Sequence, residues 1–139
     1  MNRFVLDASV SLRWFLDTNV PAYADRVRQL LNDGARAIVP ALWQLEMANG
    51  LVVAQRRGIL TAGEIDRSLI HVEQLLEQLI ESDSAIVSVR QALTAARQFR
   101  LSAYDAAYLV TAQRTNLPLA TLDERLRASA KQGGIELVA

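Results

Sequence analysis

Four acidic residues, far apart in the sequence, stand where their carboxylates can meet in one cleft and bind a divalent cation. Asp7 and Asp123 each follow a short apolar run, Glu46 lies inside an apolar helical stretch, and Asp105 opens another helix. Side chains at the carboxyl ends of strands face the crevice in which open α/β sheets bind ligands. Carboxylates gathered there repel each other, and a hard cation that prefers oxygen ligands supplies the counter-charge. The pattern therefore predicts metal-dependent chemistry.

Each acid also has a purely structural interpretation when it is taken alone. Asp7 and Asp123 follow strands and precede helices, so either can be a helix N-cap. Asp105 stands in the first turn of its helix, where a negative charge suits the macrodipole. Glu46 is harder to explain in this way, because it shares a helix face with Asn49 inside an apolar stripe. A carboxylate there is costly unless it is paired, and an arginine partner is the alternative to a metal.

Strand-like and helical patterns alternate along the 139 residues, which predicts an α/β domain with a mostly parallel sheet. The sequence contains no repeat, low-complexity tract or linker, so a single domain over residues 1–139 is expected. The predicted strands are residues 3–6, 35–39, 85–87, 117–122 and 135–138. The predicted helices are residues 21–32, 40–57, 61–80, 88–100, 102–115 and 124–132. The helix over 61–80 has a wider apolar stripe than one packing face needs, which favours a role in association.

Composition excludes several kinds of site. The chain has no cysteine, so disulfides and thiolate metal sites are ruled out, and its single histidine, His71, argues against a histidine-rich metal site. No apolar run approaches the ~20 residues of a membrane span, and the N-terminus lacks the apolar region of a signal peptide. A cytoplasmic protein is therefore expected.

The charge balance does not indicate nucleic-acid binding, because fifteen basic and fifteen acidic residues cancel. All of the basic residues except Lys131 are arginine, however, and arginine binds phosphate through bidentate hydrogen bonds. Genomic base composition is the simpler explanation of that bias. If the four acids surround metal ions, part of the negative charge is neutralised locally, and the remaining surface is net positive.

Four short motifs, taken in order, resemble those of PIN-domain proteins. They are VLDASV at 5–10, LEMAN at 45–49, SAYDAAYL at 102–109 and LATLD at 119–123. Each motif is short, but the four in this order are specific, and the resemblance covers essentially the whole chain. Within the family, the sequence resembles the VapC-type toxins of bacterial and archaeal toxin–antitoxin pairs.

This resemblance implies a three-layer α/β/α sandwich with a short parallel sheet and an endoribonuclease that uses one or two Mg²⁺ or Mn²⁺ ions. It also implies a homodimer and a cognate antitoxin whose tail enters the active-site groove. The fourth acid varies most within the family, which makes Asp123 the least secure ligand and Glu124 a weak substitute. The residues carried over are Asp7, Glu46, Asp105 and Asp123 as the acidic quartet, and Ser9, Asn49 and Thr121 as small polar groups near the metal.

The expected reaction is hydrolysis of RNA by a metal-activated water, which needs no 2′-hydroxyl and leaves 5′-phosphate and 3′-hydroxyl ends. Asp7 and Asp105 are the expected central ligands. Glu46 is expected to bind the metal directly or through water, or to orient the attacking water. Candidate RNA contacts, each of which is as readily explained as an ordinary surface residue, are Arg13, Arg56, Arg57, Arg97 and Arg100.

Other functions fit the sequence less well. A phosphoacceptor receiver domain needs a lysine at the end of a late strand, whereas Lys131 lies in a terminal helix. A nucleotide-binding module needs a glycine-rich loop after the first strand, and residues 7–11 contain no glycine. The sequence is also compatible with another metal-dependent phosphohydrolase activity and with DNA as the substrate. The main non-enzymatic alternative is a PIN-like scaffold that binds RNA or protein, although a scaffold has no need for four clustered acids.

Overall fold

A parallel sheet of four short strands lies at the centre of the protein, for which a computed structural model describes residues 2–139. The sheet order is β3-β2-β1-β4, and every neighbouring pair is parallel. The strands are β1 (Arg3–Leu6), β2 (Arg36–Val39), β3 (Ile80–Ser82) and β4 (Leu119–Ala120). The predicted α/β class with a parallel sheet is thus confirmed.

Helices cover both faces of this sheet. Successive strand residues point to opposite faces, yet Phe4, Val5 and Leu6 of β1 are all fully buried, as expected of a parallel strand covered on both sides. None of the helices within residues 2–139 is long and apolar enough to cross a membrane. The helices are α1 (Ala8–Ser11), α2 (Arg13–Leu16), α3 (Ala22–Asn32), α4 (Leu42–Arg56), α5 (Ala62–Gln78), α6 (Val89–Phe99), α7 (Ala103–Thr115) and α8 (Glu124–Gln132).

Side-chain caps fix where the later helices begin. Thr61 and Glu64 form a capping box at the start of α5, and Ser88 forms a second box at α6. The hydroxyl of Ser102 caps α7, and the carboxylate of Asp123 caps α8. Each cap satisfies backbone N–H groups that have no partner within the helix. The four helix starts therefore agree with the sequence prediction.

Three strand predictions were wrong in detail. The third strand lies at Ile80–Ser82 rather than at 85–87, because Ile80 is 2% exposed beside Ala37 whereas Ile86 is 89% exposed. The helix predicted over 61–80 consequently ends at Gln78. The strand predicted over 117–122 shrinks to β4, since the residues after it bond to side chains instead of to a neighbouring strand. The segment 135–138 contributes only an isolated bridge, from Leu137 to Leu119.

A buried hydrogen-bond chain joins α1 to α4. The indole N–H of Trp43 donates to the hydroxyl of Ser11 at 3.0 Å, and that hydroxyl donates to the sulfur of Met47 at 3.2 Å. Trp43 and Ser11 are fully buried. Because α1 follows Asp7 and α4 contains Glu46, this chain of bonds ties together the segments that carry two of the four acids.

Replacing Ser11 with alanine is expected to lower the free energy of unfolding by about 1–3 kcal/mol, because the buried Trp43 N–H loses its acceptor. Urea unfolding followed by circular dichroism measures this. Ser129→Ala is the matched control: Ser129 is also buried, but its hydroxyl donates to the Arg125 carbonyl of its own helix and leaves no orphaned donor when removed. Equal losses in the two variants would contradict the assigned role of Ser11.

Candidate active site

The four acids, scattered in sequence, line one cleft of about 300 Å³. Ser9 and Asn49 line the same cleft, while Thr121 is buried and reaches it through a hydrogen bond to Asp7. The remaining lining residues were not predicted, because they are small or apolar and carry no chemical signal of their own. The full lining is Asp7, Ala8, Ser9, Leu12, Glu46, Asn49, Gly50, Asp105 and Asp123.

The sheet order explains why these residues converge. Asp7 directly follows β1, and Asp123 comes shortly after β4, which pairs with β1 on one side. Glu46 lies on α4, the helix that follows β2, and β2 pairs with β1 on the other side. Asp105 is in the first turn of α7. In a parallel sheet the carboxyl ends of the strands share one edge, so these side chains meet there.

Asp7 is the most enclosed of the acids, with 4% of its surface exposed. Ser9 and Thr121 both donate hydroxyl hydrogen bonds to its Oδ2 atom, at 2.6 and 2.7 Å. Burial raises the pKa of the Asp7 carboxyl, the two hydroxyl bonds partly oppose that rise, and the nearby charge of Asp105 adds to it. Two hydrogen bonds therefore fix one oxygen of the Asp7 carboxylate, while burial disfavours the charged form of the group.

The same hydroxyls connect β1 to the segment after β4. Ser9 accepts the backbone N–H of Leu122 at 3.0 Å, and Thr121 accepts that of Asp123 at 3.0 Å. Asp123 also caps α8 by accepting the N–H of Leu126 on Oδ1 at 2.9 Å. Asp123 thus caps α8 and also lines the cleft, and its role as a metal ligand stays a prediction.

Glu46 is held by a tyrosine rather than by an arginine. The phenol of Tyr108 donates to Glu46 Oε1 at 2.5 Å, and none of the ion pairs formed by residues 2–139 includes Glu46. Burial raises the pKa of Glu46 to about 7; the phenol bond opposes this rise, while the charges of Asp7 and Asp105 add to it. Tyr108 was not predicted as a site residue, although it stands one helical turn after Asp105.

Negative charge dominates this cleft. Burial raises the pKa of Asp105, and the neighbouring charge of Asp123 raises it further. No basic residue among residues 2–139 lines the cleft. Arg13 is paired with Asp17 at 2.8 Å on α2. The other four arginines proposed to contact substrate are exposed and lie outside the cleft lining, namely Arg56, Arg57, Arg97 and Arg100.

A family model described as the PIN domain matches residues 4–132. The chain belongs to the PIN-domain family. The model spans the four motifs and every acid of the cleft, so the family resemblance read from the sequence is confirmed. No curated protein sequence matches the chain significantly.

Two solved structures share the PIN fold of this chain at low sequence identity. The crystal structure of PAE2754 from Pyrobaculum aerophilum is 21% identical, with a TM-score of 0.68 over 92% of this chain and 79% of the other. The crystal structure of FitAcB from Neisseria gonorrhoeae is 18% identical, with a TM-score of 0.69 over 98% of this chain and 96% of the other. At such identities the likeness concerns the fold.

The donor chemistry of this PIN domain fits a hard divalent cation. Carboxylate oxygens line the cleft, and a positive charge would relieve the mutual repulsion that adds to the effect of burial in raising the pKa of Glu46 and Asp105. No three carboxylate or imidazole groups within residues 2–139 are arranged to hold one ion between them. Mg²⁺ does not require such a cage, because it keeps several waters and is held by one or two carboxylates together with substrate phosphate.

Proposed function

We propose that this PIN domain is an endoribonuclease that hydrolyses RNA phosphodiester bonds with the help of one or two Mg²⁺ or Mn²⁺ ions. PIN domains are generally metal-dependent nucleases, which supplies the reaction class. The observation that carries the proposal is the single cleft lined by Asp7, Glu46, Asp105 and Asp123, to which the described part of the chain contributes no basic residue. Such a cleft repels a phosphate backbone unless a cation lies between them.

In this proposal the carboxylates of Asp7 and Asp105 hold the cation, and Glu46 and Asp123 complete its surroundings. A bound divalent ion supplies an acidified water and neutralises charge on the phosphate. Ser9 and Thr121 keep Asp7 fixed through Oδ2, which leaves its other oxygen for the ion. Asn49, one turn after Glu46 and on the cleft wall, offers an amide donor to a phosphate oxygen.

The proposal extends to partners and location through the VapC-type resemblance. It includes a cytoplasmic toxin, a homodimer and a cognate antitoxin. Leu69 and Ile70 of α5 support association, since they remain 51% and 54% exposed while Val72 on the same helix is buried. The five candidate arginines lie outside the cleft and stay predicted contacts for more distant parts of the RNA.

A non-catalytic PIN scaffold that binds RNA or protein is the second candidate. The absence of a three-ligand group within residues 2–139 favours it. Against it stands the cost of keeping four carboxylates together, at least partly buried, with no positive charge among them. Metal-dependent catalysis needs these carboxylates to hold the cation, whereas a scaffold does not need them.

The purified chain is expected to cut a labelled pool of structured RNAs when Mg²⁺ or Mn²⁺ is present, and to stop when EDTA is added, because the cleft needs a cation to accept phosphate. Gel electrophoresis locates the cuts, and sensitivity of the products to a 5′-phosphate-dependent exonuclease identifies the ends. A single-stranded DNA pool tests substrate class. Cutting that persists in EDTA, or 2′,3′-cyclic phosphate ends, would exclude this mechanism; ion binding without cleavage of any pool would favour the scaffold.

A further inference from the structure

Tyr108 links two of the elements that build the cleft. Its ring is fully buried, and its hydroxyl donates to Glu46 Oε1 at 2.5 Å, which joins α7 to α4. Asp105 lies one helical turn before Tyr108 on α7. A single phenol therefore connects the helices that carry two of the four acids, Glu46 and Asp105.

The bond to Tyr108 leaves Glu46 with one oxygen held and one oxygen available. Within residues 2–139, Oε2 of Glu46 receives no hydrogen bond, while Oε1 is held by the phenol. Charge–charge repulsion from Asp7 and Asp105 favours a rotation of the flexible Glu46 side chain out of the cleft. The phenol opposes that rotation, because it is anchored in the core and makes a short bond to a carboxylate, which is the stronger kind of hydrogen bond.

We propose that Tyr108 is a positioning residue that keeps Glu46 turned into the cleft, so that Oε2 is presented to the divalent cation. Groups that hydrogen-bond to a metal ligand usually orient that ligand without contacting the ion, and the phenol would act in the same way. The inference rests on the proposed function for the nature of the cation. It does not require that RNA be the substrate.

The test is a double-mutant cycle read out by Mn²⁺ binding in isothermal titration calorimetry, using Tyr108→Phe, Glu46→Ala and the double variant. Tyr108→Phe keeps the ring that fills the core, so the fold is expected to persist, and melting temperatures check this. Mn²⁺ affinity is expected to fall about tenfold in Tyr108→Phe, the usual effect of losing a group that orients a ligand. In the Glu46→Ala background, the same change is expected to have no further effect.

Thr111→Val is the matched control, because it also removes a buried hydroxyl from α7, one that bonds only to the Ala107 carbonyl of its own helix. Its Mn²⁺ affinity is expected to equal that of the wild type. The role assigned to Tyr108 would be overturned by an unchanged Mn²⁺ affinity in Tyr108→Phe, or by an equal loss of affinity with and without the Glu46 carboxylate. Either result would leave the proposed nuclease function standing. Wild-type protein that binds Mn²⁺ without cutting RNA would overturn the proposed nuclease while still deciding the role of Tyr108, and wild-type protein that binds no Mn²⁺ would overturn both.

Discussion

Asp7→Asn is expected to reduce metal-dependent RNA cleavage at least about a thousandfold while making the protein more stable in the absence of divalent cations. The loss follows from removing the most enclosed carboxylate of the cleft. Charge stabilisation by a bound metal amounts to several kcal/mol, and each ~1.4 kcal/mol changes a rate tenfold. The substitution therefore separates the contribution of Asp7 to catalysis from its contribution to folding.

The gain in stability follows from how Asp7 is bonded. Ser9 and Thr121 both donate to the same oxygen, Oδ2, so the amide oxygen of an asparagine can accept both bonds while its NH₂ group takes the place of Oδ1. The buried negative charge, which burial and Asp105 both disfavour, is then absent. A gain of about 1 kcal/mol in the free energy of unfolding is typical when a substitution removes a group that function requires but folding disfavours.

Cleavage rates with Mg²⁺ and thermal unfolding in EDTA measure the two effects. Asp66→Asn is the matched control, because it makes the same chemical change on the exposed surface of α5, outside the cleft, and should alter neither quantity. Cleavage by Asp7→Asn at the wild-type rate would remove Asp7 from the metal site. Reduced activity with a large loss of stability would instead mark Asp7 as a structural residue.

The second large expectation concerns pH. In EDTA, the free energy of unfolding is expected to fall as pH rises from about 4.5 to about 7, the usual and folded pKa values of Glu46. Because the pKa is higher in the folded protein, the folded state binds the proton more tightly than the unfolded state, so deprotonation over this interval favours unfolding. The raised pKa values of Asp7 and Asp105 act in the same direction.

Glu46 is partly exposed, and solvent screening limits its share of this loss to about 1–2 kcal/mol. Mn²⁺ is expected to reverse the trend, since only ionised carboxylates bind the ion and stabilisation by a ligand grows with its affinity for the folded state. Urea unfolding across this pH range, with EDTA or with Mn²⁺, measures both curves. Glu46→Gln should flatten the EDTA curve, and an unchanged slope in that variant would show that other groups cause the pH dependence.

Local sequence signals predicted the parts of the fold that depend on neighbours along the chain. The capping residues Thr61, Ser88 and Ser102 fixed helix starts, and the apolar run before Asp7 fixed the central strand. The third strand was misplaced because Ile80 continues the helical apolar pattern of α5. Only its tertiary partner, Ala37 on β2, makes it a strand residue.

The acidic side chains are the part of the candidate site that could be predicted from the sequence. Strand ends and an acid inside an apolar helix pointed to the four carboxylates. Tyr108 was missed because a tyrosine in an apolar helix is equally suited to core packing, and nothing local identifies Glu46, 62 positions away, as its acceptor. Pairings of this kind are set by helix packing, which single-sequence patterns do not encode.

The bond from Thr121 to one oxygen of Asp7 has a consequence for biosynthesis. It joins the residue after the first strand of the chain to the segment after the last strand, and Asp123 lies in that same segment. Since a chain emerges from the ribosome N-terminus first, Asp7 and Glu46 are synthesised long before Thr121 is available to bond to Asp7. A nascent chain therefore lacks an assembled cleft until translation has passed β4, and a truncation before β4 removes both the Thr121 hydroxyl that supports Asp7 and the carboxylate of Asp123.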